Sequence, residues 1–523
     1  MILKENYDFI IVGSGFGGSV SALRLAEKGY SVLVIEKGKQ FSGKDFPKTN
    51  WNLRKWLWLP VLKLFGIQKI HFFRHITVLS GIGVGGGSLV YANTLPKPKQ
   101  EFYKQGSWAG LENWEKILAP FYNIAWKMLG AAVNPRLEES DLALEELARQ
   151  MKKEKNFFPT TVGVYFGEPE KTVKDPYFEG KGPDRTGCIF CGSCLTGCRH
   201  NAKNTLDKNY LYLARKLGVD VLPENEVMDI TALDKKNGST GYSVTYKKST
   251  AYFSKNQKLQ SKGIIFAGGV LGTIPLLLKL KKTSLPNLSP RVGSMVRTNS
   301  EALVQNVTLD KHRDMSKGIA IGSILEYDEN SHIEPTKYGE KSGIWRLLAL
   351  PMVYEKSFFK RIIKLFGLLI KEPLQWLKIF FVDDFSKRSS ILVFMQHLES
   401  TLDFKLGFLG MKSRISNGQA PTAFIPEAKA VVDKYSEIIN SKPMVAFTET
   451  LAGIPTTAHI LGGAVMAANP DEGVISRDNK VFGYEHMYVF DGSMISANPG
   501  VNPSLSITAI SERGMSLIKP KIP

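Results

Sequence analysis

The sequence predicts an α/β fold, and three observations carry that prediction. Residues 7–12 (YDFIIV) read as a short apolar strand, a cluster of glycines follows, and Ser19 to Lys28 carries apolar Val20, Leu23, Leu25 and Ala26 at helical spacing. A second strand, Ser31 to Ile35, ends in Glu36; strand, helix and strand in so short a span predict parallel pairing. Two more apolar strand candidates lie far along the chain: Gly263 to Phe266, running into Ala267-Gly268-Gly269 and a helical pattern, and Met487 to Phe490, ending in Asp491-Gly492. The expected sheet is therefore Rossmann-type and assembled from distant segments. Residues 1–97, 200–300 and 450–523 are assigned to this discontinuous domain, and 98–199 and 301–449 to an inserted α+β substrate or cap region.

The turn after the first strand reads Gly13-Ser14-Gly15-Phe16-Gly17-Gly18. In a G-x-G-x-x-G turn of this kind Gly13 permits the tight bend, Gly15 lets backbone approach a pyrophosphate, and Gly18 lets helix pack on strand. The helix N-terminus then offers free N–H groups to the phosphates. Glu36, at the end of the second strand, can accept hydrogen bonds from ribose hydroxyls and argues against a 2′-phosphate. This points to a dinucleotide but does not separate FAD from NAD.

The 523-residue chain is long enough for about two to four domains. Its 43% apolar and 22% charged residues are ordinary for a globular protein. The charge is not: 68 Lys+Arg against 49 Asp+Glu give +19, which suits an anionic partner or a lysine-rich soluble surface. No recognised nucleic-acid module accompanies the basic residues, so nucleic acid is not expected. Residues 1–6 leave no room for a signal peptide. The uncharged run Ile76 to Pro96 holds five glycines between 81 and 87 and reads as strand and loop, so no transmembrane helix is expected. The expectation is a cytoplasmic protein, peripheral on the inner face of the cell membrane.

Three further segments narrow the cofactor: Gly83-Val84-Gly85-Gly86-Gly87-Ser88-Leu89-Val90-Tyr91-Ala92-Asn93, His459-Ile460-Leu461-Gly462-Gly463, and Asp491-Gly492-Ser493 followed by Gly500-Val501-Asn502-Pro503-Ser504. With the N-terminal turn, these make a chain that resembles the glucose–methanol–choline (GMC) oxidoreductases, most closely their cholesterol-oxidase-like branch. The resemblance is specific at both ends and weak between 300 and 450. It implies FAD, with the loop containing Gly85, Gly86, Ser88 and Asn93 against the flavin and pyrophosphate, Val227 holding adenine by its backbone, Asp491 and Gly492 near the ribityl and pyrophosphate region, and the helix beginning near Pro503 directed at the flavin.

The same resemblance implies alcohol oxidation, with His459 as the acid–base group and Asn502 orienting the substrate oxygen. An imidazole suits proton removal near neutral pH, and a carboxamide offers both donor and acceptor. The branch also uses an active-site glutamate, for which residues 390–405 show no clear equivalent. The substrate expected is a sterol-like or long-chain alcohol. Competing readings are a flavin-dependent steroid desaturase or isomerase, or a non-catalytic electron-transfer flavoprotein.

All four cysteines fall in one run, Cys188-x2-Cys191-x2-Cys194-x3-Cys198, which has the spacing of bacterial ferredoxins. Arg199 stands where those proteins carry proline, and no remote cysteine exists. One iron–sulfur cluster, a zinc ion, or structural thiols near the flavin all fit the run, with His200 an alternative ligand. A cluster would favour a quinone or electron-transfer protein as acceptor over dioxygen. Finally, residues 356–381 place Lys356, Lys360, Lys364 and Lys371 opposite Phe358, Phe359, Ile362, Leu365, Phe366, Leu369 and Ile370, and 51–73 has similar character. Such segments suit an anionic membrane surface, or else dock on their own domain.

Overall fold

The computed structural model describes residues 3–408, 410–416 and 419–522. Five successive residues of the strand Asn6–Val12 are buried, as in a strand covered on both faces. It pairs in parallel with Val32–Ile35 on one side and Gln257–Phe266 on the other. Asp220–Leu222 extends the parallel run beyond Val32–Ile35. The second half of Gln257–Phe266 pairs in parallel with Met487–Val489, while its first half starts an antiparallel meander through Tyr242–Lys248 and Asn225–Ala232. The expected strand segments thus meet in one seven-stranded sheet drawn from both ends and the middle of the chain.

The helix Phe16–Glu27 packs against Ser504–Ser516, a helix buried from Ser504 to Met515, which in turn packs against Trp114–Met128. This places residues differently from the boundary drawn at 98. Phe102, Trp108, Trp114, Leu118, Tyr122 and Leu129 share the core of the parallel sheet, and Tyr122 Oη lies 3.0 Å from Ser506 Oγ. A helix's apolar stripe says that it is covered, not by which domain, so sequence alone could not allot this stretch.

A second, antiparallel sheet runs in the order 349–351, 441–446, 302–308, 389–396, 331–336, 323–326, 157–159. Its alternation sends Val304, Ile333, Leu392 and Phe394 under the helices Glu139–Gln150 and Pro426–Ile438. Leu303, Gln305, Thr336, Ile391 and Val393 face the opposite way, into a cavity shared with the first sheet.

The two amphipathic candidates behave differently. In 51–73 the helix is one turn, Leu53–Trp56, and Pro60 and Gly66 cut the run into a 3-10 turn and short strands. Trp56 and Trp58 are buried while Val61 and Leu62 at the turn are exposed, so this segment is not the lysine-rich helix its composition suggested. Residues 356–381 do form helices, Phe358–Lys371 and Pro373–Phe380. No described helix is long and apolar enough to cross a membrane.

Candidate active site

A single cavity of about 740 Å³ runs from the first glycine turn to the antiparallel sheet. Its dinucleotide side is built where strands end and helices begin. Gly13 has φ of 102°, and a Cβ there would lie 2.4 Å from the Ala267 carbonyl oxygen, so the chain turns at a place closed to any side chain. Gly86 (φ 54°) meets the first turn directly: its Cβ would stand 2.7 Å from Gly15 Cα. The two glycine loops therefore touch along backbone, and they are locked by their own amides: Gly13 N donates to Ile35 O (2.9 Å), Gly86 N to Gly83 O (2.7 Å) and Gly85 N to Ser14 Oγ (3.0 Å). Gly18 lies behind, where the helix abuts the turn.

Glu36 lines this wall and is almost wholly buried. Burial raises its carboxyl above the ordinary range, against hydrogen bonds that lower it: Ser14 donates through N (3.0 Å) and Oγ (2.6 Å), and Gly38 N donates at 2.8 Å. Val227 lines the cavity beside a bulge, where the ladder to Tyr246 and Thr245 skips Met228. Gly492, Pro503 and Ser504 also line it. Asp491 is there too, but its carboxylate already accepts from Gly269 N (2.9 Å), Thr273 Oγ1 (2.5 Å) and Ser493 N (2.8 Å), so it ties two turns together.

Gly85, Ser88 and Asn93 stand behind the loop whose Gly86, Gly87, Val90 and Tyr91 line the cavity. Ser88 Oγ donates to Gly85 O (2.7 Å) and accepts from Leu206 N (3.1 Å), and Gly85 N donates to Ser14 Oγ (3.0 Å), which braces the loop. Asn93, at φ 74°, keeps both amide atoms buried without a protein partner.

His459 and Asn502 line the same cavity. Asn502 Oδ1 is buried with no protein partner, a free acceptor among the cavity's polar groups. His459 follows Thr456–Thr457, which is held in parallel against Thr77–Val78. Its Nδ1 lies 3.0 Å from Glu301 Oε2, and Glu301 Oε1 accepts from the backbone N–H of Ala458 (3.1 Å) and His459 (3.2 Å) and from the Thr457 hydroxyl. A carboxylate so engaged accepts a hydrogen bond from Nδ1–H, which keeps the proton on Nδ1 and leaves Nε2 for chemistry. Burial alone would lower the imidazole pKa; the charge and hydrogen bond of Glu301 outweigh it and raise the value, with Glu334 adding in the same sense.

The sequence did not point to Glu301 at all, since it is 158 residues from His459 and in no motif. Two other buried carboxyls surround the pair. Glu334 is fully buried with neither oxygen hydrogen-bonded and His332 Nε2 3.6 Å from Oε1; it stands opposite Val393 and so on the cavity side of the sheet. Glu449 accepts from Thr456 N at 3.2 Å, and burial pushes its carboxyl up to about 8. Within 390–405, Glu399 is spent on Arg297 (3.2 Å) and Asn498 N (2.8 Å).

The cysteines gather around a small separate cavity lined by Cys188, Cys191, Cys194, Cys198 and His200. Among the described residues no three His, Cys, Asp or Glu side chains stand close enough to share one metal ion.

A dinucleotide turn that opens into the same cavity as an imidazole–glutamate pair and a free carboxamide belongs to the flavin-type oxidoreductases. Comparison with known proteins agrees and is more specific. Residues 11–54 match an NAD(P)-binding Rossmann-like domain, and 181–294 and 413–511 match the GMC oxidoreductase profiles. The chain is 42% identical to a cholesterol oxidase of Acinetobacter baumannii, over 99% of this chain and 96% of that one. It is 40% identical to a cholesterol oxidase of Mycobacterium tuberculosis, over 98% and 91%. Among solved structures, pyridoxine 4-oxidase from Mesorbium loti superposes with a TM-score of 0.59 at 13% identity, over 97% of this chain and 98% of that one. The chain belongs to the GMC oxidoreductases and is an FAD-dependent enzyme acting on alcohols.

Proposed function

We propose that the enzyme oxidises the hydroxyl group of a sterol-like or long-chain alcohol at an anionic membrane surface, with His459 as acid–base group. The observation that carries this is the shared cavity: glycine turn, His459 and Asn502 open into one space whose far wall is the largely apolar face of the antiparallel sheet. FAD, when bound by the turns at Gly13–Gly15 and Gly86, by Glu36 and by Val227, supplies a hydride acceptor. The residues of the chain do the rest. Asn502 holds the substrate oxygen; His459 Nε2 takes the hydroxyl proton; Glu301 fixes the tautomer and steadies the resulting imidazolium. Leu303, Ile391 and Val393 keep water from the reacting carbon.

Membrane docking rests on the helices 358–380. Phe359, Ile363, Ile370, Leu374 and Phe381 are 70–79% exposed, and the side turned inward holds Leu365 and Arg361, whose guanidinium binds the carbonyls of Thr450 and Lys356 at 2.8 and 3.1 Å. Lysines beside an apolar face suit anionic lipid. The same helices back the cavity: Trp345 lines it and packs with Leu369, Trp376 and Ile379. Electrons then pass to dioxygen or, by way of the cysteine loop, to a membrane quinone or an electron-transfer protein.

The test is anaerobic bleaching of the bound flavin by a panel of sterols and long-chain alcohols, repeated with His459→Ala and Asn502→Ala. Bleaching by these alcohols that both variants lose supports the reading. Flavin-loaded enzyme that none of them reduces would overturn it, and ring desaturation without carbinol oxidation would favour the desaturase alternative. Flotation with anionic vesicles tests the docking: protein that stays wholly soluble at low salt would remove it.

A further inference from the structure

We propose that residues 188–198 hold an iron–sulfur cluster, ligated by Cys188, Cys191, Cys194 and Cys198, through which electrons leave the flavin cavity. The first support is convergence. The four cysteines of the chain line one small cavity together, although only the spacing of the run ties them in sequence. The loop is wound to achieve this: Phe190, between the first two cysteines, takes φ of 56°, a conformation that a bulky side chain rarely adopts. That all four thiols share one space distinguishes the loop from the same run in two-cluster ferredoxins, whose fourth cysteine serves the other cluster. They surround a space between them and do not close on a single-ion position.

The second support is the charge around the thiols. Arg185 is buried, with Nε and Nη1 lacking any protein partner and only Nη2 bonded, to Ala202 O at 2.8 Å. Lys203 is equally buried, and its ammonium donates to three carbonyls, of Tyr91 (2.8 Å), Cys194 (3.0 Å) and Leu89 (3.1 Å), with no carboxylate hydrogen-bonded to it. Asp207 is near both and offsets part of this charge. Burying cations without a matching anion is costly, and neutral thiols would not repay it. A cluster held by four thiolates is a net anion and would. Backbone N–H groups complete the setting: Phe190 N donates to Cys188 Sγ at 3.4 Å, and those of His200, Ala202 and Lys203 face the Cys198 sulfur. Hydrogen bonds to sulfur are among the features that set a cluster's potential.

The third support is position. Cys194 lines the small cavity and the next residue, Leu195, lines the large one. Lys203 spans the wall, bonded to Cys194 O on one side and to Leu89 and Tyr91 of the glycine loop on the other, with its ammonium 4.7 Å from the Tyr91 ring centroid. The electron count closes. The alcohol loses a hydride and a proton, so the cofactor site receives two electrons per turnover. A cluster held by the four cysteines would pass them on singly, so that two passages with two protons would convert one membrane quinone to quinol. The source of these electrons rests on the alcohol oxidation proposed above; the metal site itself does not.

Iron and acid-labile sulfide are assayed in anaerobically purified holoenzyme and after reconstitution with ferrous iron and sulfide, alongside flavin content. About four of each per chain are expected, with a paramagnetic signal on dithionite reduction. Cys194→Ser and Cys188→Ala should lose iron and sulfide, retain FAD and its anaerobic reduction by alcohol, and lose reduction of a water-soluble quinone. Wild-type enzyme that holds flavin but neither iron nor sulfide after reconstitution, or that holds zinc alone, overturns the proposal. Iron and sulfide in an enzyme whose flavin no alcohol reduces would support the cluster while sinking the proposed substrate.

Discussion

The two walls of the active-site cavity are built on different principles. The dinucleotide wall is backbone: glycine turns at 13–15 and 85–87 pressed so closely that Cβ atoms added at Gly13 and Gly86 would stand 2.4 and 2.7 Å from their neighbours, braced by Ser14, Ser88 and Asp491. The opposite wall is side chains: Leu303, Ile391 and Val393 from the antiparallel sheet, with the carboxyls of Glu301, Glu334 and Glu449 buried around His459. A backbone wall tolerates no variation but takes any ligand carrying the same diphosphate. A side-chain wall can be rebuilt residue by residue, which suits the part of an enzyme that chooses its alcohol.

Four variants would break or sharpen this contrast. His459→Ala has the largest expected effect: anaerobic flavin reduction slows by about 10²–10⁴-fold with flavin content unchanged, as stopped-flow absorbance would show. On the backbone wall Gly13→Ala acts through the cofactor. A side chain at positive φ costs about 1–2 kcal/mol even before the clash with Ala267. Flavin retention measured by ultrafiltration should therefore weaken by about tenfold or more.

Outside both walls, Phe359→Ser with Ile370→Ser should lower partition onto anionic vesicles by about tenfold or more, given about 1.5–3 kcal/mol for each large apolar side chain buried. Turnover of a detergent-dispersed alcohol should be unchanged. Glu301→Gln is the mildest. The neutral imidazole is the base, so the rate rises with pH through the His459 pKa, which Glu301 holds above its ordinary value. Removing that charge lowers the pKa and moves the rising limb of the pH profile to lower pH, with a several-fold loss at the plateau. A profile that does not move would mean Glu301 is structural only.

How much of this was legible in the sequence follows the same division. The backbone wall was readable because its chemistry is local: Gly13, Gly15 and Gly18 with Glu36 specify the turn, the helix and a buried acid at the strand end within one strand–helix–strand unit. His459 and Asn502 were readable by resemblance, and the structure opens them into one cavity. Glu301 and Glu334 were not, because their neighbours come from segments distant in the chain and a lone glutamate beside or within a strand has no pattern. The segments 51–73 and 356–381 make the same point. Both are rich in aromatics and lysine, yet 51–73 folds into a single helical turn and short strands while 356–381 forms two helices that expose Phe359. Composition carries no information about which face finds a partner.

The central claim is carbinol oxidation at the junction of the two walls. Its most direct test follows the rate of anaerobic flavin bleaching after mixing with a sterol in anionic vesicles, the carbinol carbon bearing hydrogen or deuterium. A clearly slower rate with deuterium, and a ketone as product, is the result expected. Bleaching at the same rate with either isotope and no ketone formed, or no bleaching of a fully flavin-loaded enzyme, would contradict the account.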